Sequence, residues 1–217
     1  VKDFAVSNRI AALFERRSLQ SYARWKVRSD PAYSAALEAL RGRDLPLVDL
    51  GCGIGLLAFY LREHGYTAPV IGVDFDQRKI DAACLAARKY RGVDFIAGDA
   101  RDPLPDGHNV VILDILHYFD PASQQQILTN AARAVPPGGA VILRQPIRDA
   151  SWRYRLTKRV DALARTLRWM KAESLNYPTR EEVTAPFAGF ASEVRPLWGR
   201  MPYNTYFFVF TRPNRVS

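Results

Sequence analysis

Val48-Asp-Leu-Gly-Cys-Gly-Ile-Gly55 is the stretch that decides how the chain is read. A short apolar run, Leu47 to Leu50, enters a loop with glycine at alternate positions, and a helical pattern follows over Leu56 to His64. Glycines at such a strand-to-helix turn let the backbone turn tightly and let a ligand approach the main chain, as in nucleotide-binding βα turns. The spacing is Gly-x-Gly-x-Gly with an acid two positions upstream, not the Gly-x-Gly-x-x-Gly of dinucleotide sites. That difference favours a nucleoside carrying an amino acid over one carrying a pyrophosphate. Alone, the loop also reads as a generic glycine-rich turn.

Working outward, short apolar runs alternate with helical segments, the pattern of βαβ units around a parallel sheet. Strands are expected over Leu47 to Leu50, Val70 to Asp74, Asp94 to Ala97, Val110 to Asp114 and Ala140 to Arg144. Helices are expected over Leu56 to His64, Gln77 to Tyr90 and Ser123 to Val135. Ser192 to Leu197 and Thr205 to Thr211 form two more strands, and the segment between them, with Gly199, Pro202 and Asn204, is too short for a crossover helix. These two are therefore antiparallel neighbours. Upstream, Ile10, Leu13 and Phe14 have helical spacing, and Asp30-Pro31 reads as the cap and first position of another helix.

Two more acids stand at strand ends. Asp74 follows Asp49 by 25 positions, close to the ~20-residue offset of a ribose-binding acid. Its neighbour Asp76 reads as the N-cap of the next helix. Gly98-Asp99-Ala100 closes the third strand, where a Gly-Asp pair alone would equally be a turn.

In this order the motifs resemble those of the class I S-adenosylmethionine-dependent methyltransferases, over roughly Leu45 to Thr211. The resemblance implies an α/β, Rossmann-like fold: a seven-stranded, mostly parallel sheet with an antiparallel last strand, helices on both faces, an N-terminal helical extension and a long helical insertion after strand 5. It implies S-adenosyl-L-methionine as cofactor, S-adenosyl-L-homocysteine as product, and no metal. Asp49 would then lie near the methionine amine, and Gly51, Cys52, Gly53 and Gly55 would form the cradle. Asp74 would accept from both ribose hydroxyls, Phe75 would pack on adenine, Asp99 would take the adenine amino group with a backbone contact from Ala100, and Asp114 would complete the cofactor side. The expected division is one domain over 1–217, with a helical cap (1–44), a cofactor-binding core (45–150), a helical insertion or lid (151–190) and C-terminal strands (191–217).

The methyl acceptor belongs after the fourth strand, at Leu113-Asp114-Ile-Leu-His117-Tyr118-Phe119. The Asn/Asp-Pro-Pro-Tyr/Phe motif of amino methyltransferases acting on bases is missing there. So is the Pro-Cys nucleophile of cytosine C5 enzymes, and nucleic acid is disfavoured as acceptor. His117 is either a general base beyond the strand's carboxyl end or a packing residue. Tyr118 lines the same pocket or simply packs. Tyr22 and Lys26, on one helical face, read as a lid over the site or as part of a solvated basic helix.

Ser151 to Lys171 alternates an apolar stripe (Trp152, Leu156, Val160, Leu163, Leu167, Met170) with basic residues, the pattern of a long amphipathic helix. It can pack on the sheet, cover a hydrophobic acceptor, touch a membrane surface or dock an acidic acyl carrier protein. With Trp198, Trp152 favours a bulky apolar or aromatic acceptor. Tyr22-Ala-Arg-Trp-Lys, Asp30-Pro, Ser151-Trp-Arg-Tyr-Arg and Pro196-Leu-Trp-Gly-Arg are similar to methyltransferases of bacterial aryl polyene or xanthomonadin-type pigment synthesis. That finer resemblance implies an aromatic or polyketide-like substrate, free or carrier-bound, methylated on oxygen or carbon.

Composition sets the remaining bounds. The 217 residues are 48% hydrophobic and 24% charged, a balance of folded rather than disordered chains. No apolar run approaches the ~20 residues of a membrane span and no signal-peptide pattern is evident, so a cytoplasmic location is expected. Cys52 and Cys84 have no metal-ligand spacing around them. The net charge of +9 draws the chain toward something negative without choosing it, which keeps RNA or tRNA methylation open beside small-molecule chemistry. A cofactor-binding interaction module without catalysis is the third reading.

Overall fold

The computed structural model describes residues 4–157, 175–198 and 203–214. Seven strands form one sheet: β1 (Leu47–Leu50), β2 (Val70–Asp74), β3 (Val93–Ala97), β4 (Asn109–Leu113), β5 (Ala140–Pro146), β6 (Ala191–Pro196) and β7 (Thr205–Thr211), in the spatial order β3-β2-β1-β4-β5-β7-β6. The first five pair in parallel, and β7 runs antiparallel between β5 and β6. β1, β2 and β7 begin and end at the residues expected from the sequence, and the others shift by one or two. Every residue of β1 and of β5 is buried, as strands covered by helices on both faces must be.

Helices cover both faces. Around the sheet run α1 (Phe4–Ala11), α2 (Arg17–Ser29), α3 (Ala32–Ala39), α4 (Leu56–Glu63), α5 (Gln77–Ala87), α6 (Pro121–Ala134) and α7 (Arg180–Thr184). The first five pack with Leu47, Ile142 and Phe207 in one core. In the other, Ile127, Leu128 and Ala131 of α6 and Val183 of α7 meet Val48, Leu50, Val110, Ile112, Phe208 and Phe210. The period of two in β7 divides its phenylalanines between the cores, and Phe187 stacks on Phe210 at 4.0 Å.

Two local details differ from expectation. α6 starts at Pro121 rather than Ser123, because Asp120 caps it by accepting from the amides of Ala122 and Ser123 while proline takes the first helical position. α5 stops at Ala87, short of Tyr90. The expected basic helix over 151–171 opens as helix at 152–157, and its remaining residues lie outside the described ones. Among the described residues no helix is long and apolar enough to cross a membrane.

The topology positions the site. β1 neighbours both β2 and β4, so the chain direction around the sheet reverses there, and a crevice opens beyond the carboxyl ends of these strands. Every candidate residue named from Asp49 to Tyr118 follows from a strand ending at that edge.

Candidate functional site

At the end of β1 the glycine loop folds over β2. Gly51 and Cys52 donate their amides to the Val73 carbonyl at 2.7 and 3.0 Å, and the Gly53 amide donates to Asp74 Oδ2 at 2.9 Å. Asp74 Oδ1 accepts from the Asp76 amide at 3.0 Å, with Lys79 Nζ at 3.7 Å. One buried carboxylate thus ties the β1 and β2 loops together. Two of the glycines are required sterically: at φ +80° each, a Cβ on Gly51 would fall 2.4 Å from Ile115 Cγ2, and one on Gly55 2.4 Å from Phe95 Cζ. Gly53 differs, since nothing lies within 4 Å of where its Cβ would be. Gly53 is half-buried, with open space on its Cβ side.

Asp49 lies beneath this loop and is only 3% exposed. Its Oδ2 has no hydrogen-bond partner among the described residues. Burial, with the charge of Asp74 added, pushes its carboxyl up to about 7. A buried acid with an unused acceptor is a place made for a cation or a donor brought in by a ligand.

At the next two strand ends the residues are open. Phe75 is 82% exposed with Lys79 Nζ 5.6 Å from its ring centroid. Asp99 accepts from Arg101 through Nε at 2.9 Å and Nη2 at 2.5 Å, and these bonds hold its carboxyl down at about 2. Ala100 is partly buried against the second core. Cys52 is buried and its thiol pushed up by that burial, so it is a packing residue of the loop and not a nucleophile.

A buried ion network missed by the sequence reading stands beside the crevice. Arg144, near the end of β5, holds Asp114 at the end of β4 through Nε at 3.0 Å and through Nη2, and holds Asp30 through Nη1 and, at 2.8 Å, Nη2. Lys26 Nζ reaches Asp30 at 2.7 Å. Asp114 has φ +57°, the left-handed region that aspartate tolerates better than most residues. Asp114 was expected on the cofactor and Lys26 on the substrate; here their charges are engaged by protein. Asp30 also accepts from the Ala32 amide at 2.9 Å, as its helix-cap reading anticipated. Tyr33 is buried nearby, its phenol raised by burial and then by Asp30, Tyr22 and Asp49. Tyr22 itself is 46% exposed.

Across the crevice, His117 sits in a 3-10 turn, Leu116–Tyr118, and is buried. Its ring lies 4.2 Å from Tyr118 and 5.7 Å from Tyr177, nearly parallel to the latter, and Tyr154 meets Tyr177 edge-on at 5.9 Å. Gln145 Nε2 is 3.2 Å from His117 Nδ1. Gln124 ties the segment before α7 to this turn, donating to the carbonyls of Leu116, Phe119 and Asn176. Trp152 and Trp198, far apart in sequence, flank one guanidinium: Arg153 Cζ is 4.9 and 4.0 Å from their ring centroids. Among the described residues no group of three or more His, Cys, Asp or Glu side chains could hold a metal ion.

Residues 47–139, from β1 through α6, match the family described as "Methyltransferase domain". Over that stretch the chain is similar to methyltransferase domains. Curated relatives of the domain include myricetin 3'/5'-O-methyltransferase 1 of Solanum habrochaites, 28% identical over 102 residues that cover 46% of this chain and 26% of the relative. Another is the carboxy-S-adenosyl-L-methionine synthase of Shigella sonnei, 26% identical over 145 residues, 61% of this chain and 59% of that one. The chain therefore spans between a quarter and three fifths of these relatives' lengths. Its fold is that of magnesium protoporphyrin IX methyltransferase from Synechocystis PCC 6803, solved with S-adenosylhomocysteine, at TM-score 0.68 and 17% identity, with 96% of this chain and 94% of that one aligned. The same domain frame accounts for the placement of the three acids at successive strand ends.

Proposed function

We propose that the chain transfers the methyl group of S-adenosylmethionine to an oxygen or carbon of a small apolar or aromatic acceptor, free or held on an acidic carrier protein. One observation carries the cofactor half: the buried, unpartnered Oδ2 of Asp49 beneath the open Cβ side of Gly53, at the switch point of a methyltransferase fold. That donor set fits the cofactor, whose ammonium needs an acceptor where water is excluded. Asp49 holds the ammonium; Gly51, Cys52, Gly53 and Gly55 line the turn beside it; Asp74 keeps lone pairs for the ribose hydroxyls while fixing the loop. Phe75 offers a face to adenine, with Asp99 and Ala100 at its edge. Asp114 acts through Arg144 on the shape of the crevice. S-adenosylmethionine, when bound, supplies a methyl carbon made electrophilic by its sulfonium.

The acceptor half is supported by the imidazole and phenol rings of His117, Tyr118, Tyr177 and Tyr154. These orient a planar acceptor and exclude water, and for a hydroxyl acceptor His117 takes the proton. The curated relative named a myricetin O-methyltransferase supports oxygen and an aromatic ring. Trp152, Arg153 and Trp198 form a cationic aromatic rim at which an acidic carrier would dock, and a pigment-type polyketide acceptor belongs to this class. The N-terminal helices, core, insertion and final strands act as one cytoplasmic domain without a metal. The test is methyl incorporation from labelled cofactor into a panel of phenolic, enolic and carrier-bound acceptors and into RNA. Label in a small aromatic acceptor that falls with His117→Ala supports the reading; label in RNA alone overturns it.

A further inference from the structure

Gln145 stands one position beyond Arg144 in β5 and is fully buried on the opposite side of the strand, toward His117. Its amide nitrogen lies 3.2 Å from His117 Nδ1 and 3.4 Å from the Pro146 carbonyl, and its amide oxygen has no partner among the described residues. The two orientations of a glutamine amide have the same shape and are distinguished only by hydrogen bonding. They have opposite consequences for the histidine. An amide N–H donating to Nδ1 leaves the ring proton on Nε2, and that tautomer has no lone pair with which to accept a proton at Nε2. An amide oxygen facing Nδ1 accepts the ring proton there and leaves Nε2 basic.

Two considerations favour the second orientation. It gives the buried orphan oxygen a donor. It costs the amide nitrogen its contacts to Nδ1 and to the Pro146 carbonyl, the latter at 3.4 Å and longer than the ~2.9–3.0 Å of a good N–H···O bond. It also serves the imidazolium, which carries N–H on both nitrogens and needs an acceptor at Nδ1 as soon as Nε2 has been protonated.

We propose that Gln145 is a positioning residue that fixes the Nδ1–H tautomer of His117 through its side-chain carbonyl and so leaves Nε2 as the base for a hydroxyl acceptor. The inference rests on the reading of His117 as base, but its test does not depend on turnover. Long-range proton–nitrogen NMR of the full chain with labelled histidine, the signal assigned by its loss in His117→Ala, reports which ring nitrogen carries the hydrogen. The expected result is Nδ1–H in the unsubstituted chain, a mixture or the other tautomer in Gln145→Met, and in Gln145→Glu retention of Nδ1–H with the His117 midpoint raised by about one pH unit or more. The acidic limb of the turnover profile moves upward in the glutamate variant by the same amount. Nε2–H in the unsubstituted protein, or a tautomer indifferent to Gln145→Met, overturns the proposal. Expected spectra with turnover unaffected by His117→Ala would instead remove the base role and leave the tautomer assignment standing.

Discussion

Replacing Arg144 by methionine keeps much of the side-chain volume and removes the one guanidinium that holds both Asp30 and Asp114. The Asp30 side chain is 7% exposed, that of Asp114 30%. Stranding one member of a buried ion pair costs about 3–5 kcal/mol. Asp30 keeps Lys26 and the Ala32 amide, and Asp114 regains water, so the lower end applies, about 3 kcal/mol. At ~2–4 °C per kcal/mol for a fold of this size, the melting temperature at neutral pH should fall by about 6–12 °C. Asp30→Asn in the same chain removes the stranded charge, so the double variant should melt above Arg144→Met alone. The acid limb of stability checks the sign. Burial raises the Asp30 carboxyl, but Arg144 and then Lys26 outweigh it and hold it far below the usual carboxylate range. Such a group stabilises the fold above its unfolded value near ~3.9 and loses that contribution as pH falls below it. Arg144→Met should flatten that acid loss in calorimetric scans between about pH 5 and 2. A shift under about 1 kcal/mol, or strictly additive losses in the double variant, would refute the network's role in anchoring the N-terminal helices.

Other expectations concern the crevice itself. Asp49, raised to about 7, binds a proton in the fold that the unfolded chain releases near ~3.9, so its contribution to stability is lost as pH rises from about 4 to 7. Asp49→Asn should therefore melt close to the parent at pH 4 and above it at pH 8, and equal differences at both would contradict the assignment. Gly55→Ala puts a methyl 2.4 Å from Phe95 Cζ at φ +80°, and should cost about 2–4 kcal/mol in urea unfolding. Phe75→Ala should leave the melting temperature within about 1–2 °C, because the ring is 82% exposed, while weakening cofactor binding in fluorescence titration.

What could be read in the chain depended on whether the signal was local. β1, β2 and the loop between β1 and α4 announce themselves in consecutive residues, so Asp49, Asp74 and the glycines read as one group. Asp120-Pro121 is as clear a helix start as Asp30-Pro31, yet the polar first turn behind it lacks the apolar spacing that marks a helix, and the start was placed late. The partners of Arg144 stand 30 and 114 positions away, a distance over which no pattern of spacing operates. Arg144 reads in sequence as the end of an apolar strand, and Gln145 as nothing at all. Their roles come from the parallel pairing of β4 with β5, which sets Arg144 beside Leu113 and brings Gln145 to His117. Trp152 and Trp198 read in sequence only as aromatic residues that favour an apolar acceptor, and the fold shows that one arginine joins them.

Isothermal titration of S-adenosylmethionine into the intact chain and into Asp74→Ala tests the central claim most directly. One site should bind in the intact protein, with affinity lowered at least tenfold in the variant, since Asp74 both faces the cradle and holds the Gly53 amide at 2.9 Å. No binding by the intact chain, or the same dissociation constant in both proteins, would contradict it.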